Sequence, residues 1–326
     1  MSIANRITKR FILLVLGIGT LLTVGHVLIM CPVHFQRTAL ASAVHALDAK
    51  REGGISDAMR RDSDPSQNRW HDAPPPIELA HFYRVAHSVK QVTSFDCPAA
   101  VVQKYPAIRR APRHVPGRSQ AGEDAYMYER FFHATNPAAG RFVELGALDG
   151  LRYSNSYLFE KLGWGGVLIE GETTNFAALE QNRQGTGVTC LHAAVCEAPG
   201  ILRIRGTGPM AAAAGTQLHT TTANPAREST VPCLPMSTLL AMVGNLTHID
   251  FFSIDVEGAE LAVILSHDFH AVPVHAILVE MRPADEADWS NARIRQALWA
   301  RRFCRFAADV GHNNEVWVNP HWWRPI

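Results

Sequence analysis

The chain has no Cys-x-x-Cys pair, and its six cysteines show no spacing that would suit a structural metal. That removes zinc-ribbon and thioredoxin-like readings. It also lacks a strong charge balance, with a formal net charge of +1. The small total hides an asymmetry. From Ser119 onward there are 15 Lys+Arg against 22 Asp+Glu, so the preceding part holds the remaining 16 and 8. The C-terminal part is therefore acidic by 7, which argues against a nucleic-acid substrate, since that needs a basic face on the domain holding it. Between Phe11 and Met30 there is no Asp, Glu, Lys or Arg at all.

Those 20 uncharged residues would span roughly 30 Å as a helix, the thickness of a bilayer core. Arg6, Lys9 and Arg10 precede them, and this basic flank keeps a short N-terminus in the cytosol. The length favours a signal anchor over a cleaved signal peptide, whose apolar region is about 7 to 15 residues. The expected organisation is a cytosolic tail (1–10), a transmembrane anchor (11–30), an irregular stem (31–118) and a folded domain (119–326). That domain would be luminal, in the Golgi or endoplasmic reticulum. A bacterial inner-membrane enzyme acting on lipid or surface polysaccharide is the alternative topology, in which the sequon at Asn245 has no meaning. In an oxidising lumen Cys196 and Cys233 make the preferred disulfide; ordinary buried thiols are the other reading.

What the chain does have is a strand, turn, helix pattern repeated from Arg141 to Arg183. Phe142–Ala147 is a short apolar run with one acid, as in a buried parallel strand. Gly146, Asp149 and Gly150 make the turn, Asn155–Leu162 carries helical spacing, and Gly163 supplies the left-handed stop. Gly166–Ile169 ends in Glu170, and a second helix starts near Thr174. The result is a right-handed βαβα unit. Glu170 lies 24 positions after Gly146, the distance at which an acid reaches a ribose bound over the first turn. ELGALDG has Leu148 where a dinucleotide loop has its middle glycine, so the glycines alone are a weak signal.

Further elements follow in alternation. Ser119 caps a helix through Phe132; strands are expected at 188–195, 201–205, 250–256, 275–280 and 315–319, and helices at 237–243, 259–266 and 290–306. Residues 206–227, rich in Gly, Ala and Thr, make a candidate substrate loop. The pattern predicts an α/β fold, an open twisted sheet with helices on both faces and ligands at the carboxyl ends of the strands. Asp149, Glu170, Asp255, Glu257 and Glu280 all fall at such ends. An acid buried there costs several kcal/mol unless partnered, so each either caps a helix or pairs with an arginine, or the set serves a hydroxylated, positively charged ligand.

SQAGED, FVELGALDG, SNSYLFEKLGWGGVLIEG and IDFFSIDVEGAEL, in this order, resemble the FkbM-type methyltransferases, S-adenosylmethionine-dependent enzymes of the class I, Rossmann-like fold. The resemblance spans Ser119–Glu280. VPCLPMSTLLAM and the SNSYLFEKLGW segment are similar to a membrane-anchored subgroup that includes the insect protein Star, associated with trafficking of growth-factor precursors. The resemblance implies S-adenosyl-L-methionine as cofactor, held by Glu144, Gly146, Asp149, Gly150, Asn155, Glu170 and Asp255. Glu144, Gly146 and Gly150 would surround its methionine part and Glu170 its ribose. Asp255 and Glu257 would be the catalytic pair at the methyl-transfer centre, one of them the base for a hydroxyl. His219 is a weaker candidate. No dedicated metal site is expected, though the acidic edge could hold a magnesium ion. The implied partners are a glycan or small hydroxylated acceptor and the membrane, with membrane-protein cargo under a non-catalytic trafficking alternative.

Overall fold

The computed structural model describes residues 94–106, 115–136, 139–213, 228–244, 246–282 and 288–322. The expected anchor at Phe11–Met30, most of the stem, His219 and Asn245 lie outside them. Among the described residues no helix is long and apolar enough to cross a membrane.

Seven strands form the main sheet: β1 (Arg141–Leu145), β2 (Gly165–Glu170), β3 (Val188–His192), β8 (Ile249–Ile254), β9 (Val274–Glu280), β10 (Cys304–Ala307) and β11 (Asn314–Val318). Their order is β10-β11-β9-β8-β1-β2-β3. All neighbours from β3 to β9 pair in parallel, and β11 runs antiparallel to both β9 and β10. Every residue of β8 is buried, as is all but the last of β9, which explains why both read as unbroken apolar runs. The chain winds outward from β1 through β2 to β3, then returns to β8 on the other side of β1. The sheet therefore switches direction between β1 and β8, and their carboxyl ends border the crevice where such folds bind ligands.

Helices α3 (Tyr157–Lys161), α4 (Thr173–Asn182), α5 (Met236–Val243), α6 (Glu260–Ser266) and α7 (Asp288–Ala300) connect the strands. Around α3, Phe132, Phe159, Trp164 and Phe251 pack with centroids 4.9–5.9 Å apart; Phe132 meets Phe159 and Trp164 edge to face, a geometry that adds to plain apolar burial. A second, four-stranded sheet interrupts the alternation in the order β4-β7-β5-β6. Its strands are β4 (Ala194–Val195), β5 (Gly200–Arg205), β6 (Ala212–Ala213) and β7 (Glu228–Leu234). Cys196 and Cys233 are joined in it, the pair favoured from the sequence.

Several expectations need correction. The strand expected over 188–195 is two strands in two sheets, divided at Ala193. Ser119 is not the N-cap residue of the helix. Helix α2 (Glu123–Met127) begins after Gly122, whose φ of 89° ends the preceding turn, and continues as a π-helical turn through Phe132. The N-cap position is Gly122, but Ser119 Oγ still accepts from the first-turn Asp124 N–H at 3.3 Å while donating to Asp124 Oδ1 at 2.6 Å. The helix expected to reach Phe306 stops at Ala300; Arg302 takes a φ of 66° and the chain re-enters the sheet as β10. The helical period of Ile294, Ala297 and Leu298, all buried, masked the short strand behind it.

Residues 94–106, which include the short helix α1 (Ala99–Val102), were assigned to the stem but are docked on the domain. Cys97 N–H donates to Arg305 C=O and Arg305 N–H to Phe95 C=O, each at 2.8 Å. Cys97 is disulfide-bonded to Cys304. The segment thus covers the free edge of β10, where unpaired backbone groups would otherwise face outward.

Candidate active site

Glu144, the fourth residue of β1, is buried and organises the loop that follows. Its Oε1 accepts from Asn155 N–H at 2.7 Å, and its Oε2 from the hydroxyls of Ser154 (2.9 Å) and Ser156 (2.5 Å). Burial pushes its carboxyl above the ordinary range, opposed chiefly by the charge of Arg183. Arg183, at the end of α4, is itself buried. It donates to Gly150 C=O (2.7 Å) and Ser154 Oγ (2.9 Å) and pairs with Glu160.

At the turn, Gly146 has a φ of 72°, and a Cβ there would collide with the Asp255 carbonyl oxygen. The two central strands approach that closely only because this residue is glycine. Leu148 also lies in the left-handed region, at φ 48°. Its N–H donates to Glu170 Oε2 at 2.9 Å, while Glu172 N–H donates to Glu170 Oε1 at 2.7 Å. The Asn175 side chain also hydrogen-bonds to this carboxylate, and the lone pairs left over are open to hydroxyl donors. Burial raises Glu170 to about 7, against the effect of those two backbone donors.

Beyond β8 the turn is held by Glu260, whose Oε1 accepts from Val256 N–H (3.2 Å) and Gly258 N–H (2.9 Å). This leaves Glu257 half-buried at φ 52°. Asp255, Glu257 and Glu280 each bring one carboxylate oxygen to within 4.8 Å of the others. Burial, together with the Asp255 and Glu260 charges, raises Glu257 to about 7. Burial likewise raises Asp255 and Glu280, which hydrogen-bond to each other, so the pair retains a proton at neutral pH.

These groups surround one cavity of about 300 Å³, the lower end of the range for small-molecule sites. It contains Glu144, Gly146, Asn155, Glu170, Asp255 and Glu257 together. Asp149 and Gly150 are not in its lining. Asp149 Oδ1 turns back to accept from Leu151 N–H and Arg152 N–H, at 2.9 and 2.7 Å, a local Asx turn. Gly150, at φ 76°, packs against Leu179.

Sequence reasoning missed two further walls. The second sheet supplies Val195, Leu202 and Ile204, an apolar face beside Glu170 and Glu172. The opposite side is closed by Gln120, Glu123, Asn313 and Asn314, with Glu123 buried and accepting from Ala121 N–H at 2.7 Å. Glu280 was visible as an acid at a strand end, but nothing in its neighbourhood in sequence marked it as a neighbour of Asp255.

A sheet ordered 3-2-1 on one side of the switch point, with an antiparallel strand inserted beside the last parallel one, and an acid closing β2 over the first turn, defines a class I methyltransferase fold. The family model for the methyltransferase FkbM domain matches residues 144–306, half of the chain. The chain belongs to the FkbM methyltransferase family and is an S-adenosyl-L-methionine-dependent methyltransferase. No significant match is found among curated proteins. Similar solved structures include a Klebsiella pneumoniae putative O-methyltransferase, with 12% identity and a TM-score of 0.34, over 74% of this chain and 96% of that one. A Bacillus cereus O-methyltransferase in complex with SAH has 9% identity and a TM-score of 0.32, over 76% and 92%. An SAH-bound methyltransferase from Podospora anserina has 13% identity and a TM-score of 0.32, over 78% and 98%.

Proposed function

We propose that the chain is a membrane-anchored O-methyltransferase whose acceptor is a hydroxyl of a glycan or another molecule of the secretory pathway. The observation that carries this reading is the meeting of Glu170 with Asp255 and Glu257 around one cavity at the sheet's switch point. The cavity suits the cofactor in three respects. Glu170 has free lone pairs for the ribose hydroxyls, Val195, Leu202 and Ile204 offer an apolar wall for the adenine, and the acidic end suits a sulfonium and an amino group.

When bound, S-adenosyl-L-methionine supplies a methyl already activated on sulfur, which keeps the bonding electron pair as the acceptor oxygen takes the carbon. The chain's residues then have two tasks. Gly146 and the Glu144 network hold the first turn against the cofactor's methionine part, so that attack is in line. Asp255 or Glu257 takes the acceptor's hydroxyl proton as the new bond forms; a carboxylate raised toward neutrality is a better base than an ordinary one. Two disulfides in the described domain support an oxidising lumen over the cytosol, and the uncharged stretch at 11–30 supports the anchor.

The test is transfer of labelled methyl groups from the cofactor to a panel of glycans. Asp255→Asn and Glu257→Gln should each be assayed beside the wild type, and loss of the base should cost about 10²- to 10⁴-fold in rate. Full activity in both variants would contradict the assignment. A folded chain that neither binds cofactor nor methylates any acceptor would instead favour the non-catalytic, Star-like trafficking role.

A further inference from the structure

Two carboxylates at the switch point are near enough to take the acceptor's proton, and their surroundings differ. Asp255, just past β8, hydrogen-bonds to Glu280 at the end of the parallel neighbour β9, so a proton already lies between them. Glu144, Glu170 and Glu260 are likewise engaged by N–H or O–H donors. Glu257 lines the same cavity and has no hydrogen-bond partner among the described residues. All of its lone pairs are open to an incoming hydroxyl.

A carboxylate without hydrogen bonds needs a counter-charge to stay ionised where it is partly desolvated. Arg282 is placed to supply it. It lies two residues beyond the last residue of β9, and its guanidinium packs on Gly258, the residue after Glu257. A Cβ at Gly258 would stand 2.2 Å from Arg282 Nη2 and 3.4 Å from Cζ, so the guanidinium has its seat only because residue 258 is glycine. The same glycine takes a φ of 106°. The Arg282 backbone is fixed in turn by Asn291, a buried residue near the start of α7. Arg282 N–H donates to Asn291 Oδ1 at 3.0 Å, and Asn291 Nδ2 donates to Arg282 C=O at 2.8 Å.

We infer that Arg282 is a positioning residue for the reaction: its guanidinium, seated on Gly258, holds Glu257 as the ionised carboxylate that takes the acceptor's proton. Asp255 and Glu280 keep the proton they share. The charges around Glu257 give Arg282 its importance. Asp255 faces it from the end of β8, Glu260 from α6 and Glu280 from β9, while Glu123 and His312 line the opposite wall of the cavity. Burial and the Asp255 and Glu260 charges all push the Glu257 carboxyl up, and Arg282 alone is the cation that opposes them, leaving it at about 7. Guanidinium and carboxylate stand farther apart than the 4.0 Å of an ion pair, so the charge acts on Glu257 without covering its oxygens.

The role of the pair rests on the methyltransferase reading above. Glu257 accepts the hydroxyl proton as the acceptor's oxygen bonds to the methyl carbon and the sulfur keeps the electron pair of the bond that breaks. A Glu257 protonated at neutral pH cannot do this.

The test is a pH titration of the full chain in detergent micelles, without cofactor, with carbon-13 only in the glutamate side-chain carboxyls. The Glu257 signal is the one missing from Glu257→Gln. In the wild type its midpoint should lie at about 7. In Arg282→Met, which keeps an apolar stem, the midpoint should rise by about 0.5–1 pH unit, and Arg282→Lys, which keeps the charge, should bring it most of the way back. Arg282→Gln replaces the methionine variant if that one gives no cooperative thermal melt. With a glycan that accepts labelled methyl groups, the acid limb of kcat/KM should move up with the midpoint. An unmoved midpoint in the neutral variants, or a lysine variant that behaves as they do, would overturn the inference. S-adenosylmethionine is titrated separately into the wild type. A shifted midpoint in a chain that does not bind it would refute the methyltransferase reading and keep the Arg282–Glu257 pair; binding with an unmoved midpoint would do the opposite.

Discussion

Glu170 should leave a signature in the pH dependence of stability. Its ordinary value near 4.5 rises to about 7 in the folded chain because the carboxyl is buried. The folded state then holds this proton more tightly than the unfolded state does. Its contribution to stability is fully present below pH 4.5 and is lost as the pH rises to about 7. The gap corresponds to about 3 kcal/mol, accumulated at about 1.4 kcal/mol per pH unit. Glu170→Gln removes the titration. The amide can accept only one of the two N–H groups, from Leu148 or Glu172, and this loss is a constant offset at every pH. Urea unfolding of both proteins by tryptophan fluorescence, at half-unit steps from pH 4.5 to 8, should give a difference in stability that falls by about 3 kcal/mol. Asp255, Glu257 and Glu280 titrate in both proteins and cancel. A flat difference would show that Glu170 is not buried as described. Cofactor should oppose the trend, because ribose hydroxyls favour the ionised carboxylate, so its affinity should weaken as the pH falls below about 7.

Other outcomes follow from the loop around Glu144. Arg183→Met leaves the buried Glu160 with only the exposed Lys161 as a partner and removes bonds to Gly150 and Ser154; it should destabilise the chain by about 3 kcal/mol in denaturant titration. Leu148→Asn should raise stability by up to about 1 kcal/mol, because asparagine tolerates the left-handed backbone better than leucine. A lower denaturation midpoint would contradict that strain argument. Replacing Cys196 and Cys233 together by alanine opens a loop of sequence separation 37, which should cost about 4 kcal/mol in urea unfolding.

The central βαβα unit was readable because its signals are local: apolar runs of strand length, glycines at turns, and acids at strand ends. That is why Glu144, Glu170, Asp255 and Glu257 could be named and do share a cavity. Asp149 could not be separated from them, because whether an acid faces the cavity or closes an Asx turn depends on backbone geometry that residue types do not fix. The remaining walls were hidden by distance in sequence. Glu123 and Asn314 lie 191 positions apart, yet Asn314 Nδ2 donates to Glu123 Oε1 at 3.4 Å. Cys97 and Cys304 are separated by 207 positions, and the irregular look of residues 94–106 disguised a segment that covers a sheet edge. The second sheet was partly legible as a hairpin arm at 201–205, but its pairing with β7 spans residues with no periodic signal.

Isothermal titration of the purified chain with S-adenosyl-L-methionine, beside Glu170→Ala, tests the central claim most directly. Micromolar binding by the wild type and none by the variant, with both giving cooperative thermal melts, is the result the cavity predicts. A folded wild type that does not bind the cofactor, or a variant that binds it equally well, would contradict the assignment of this cavity.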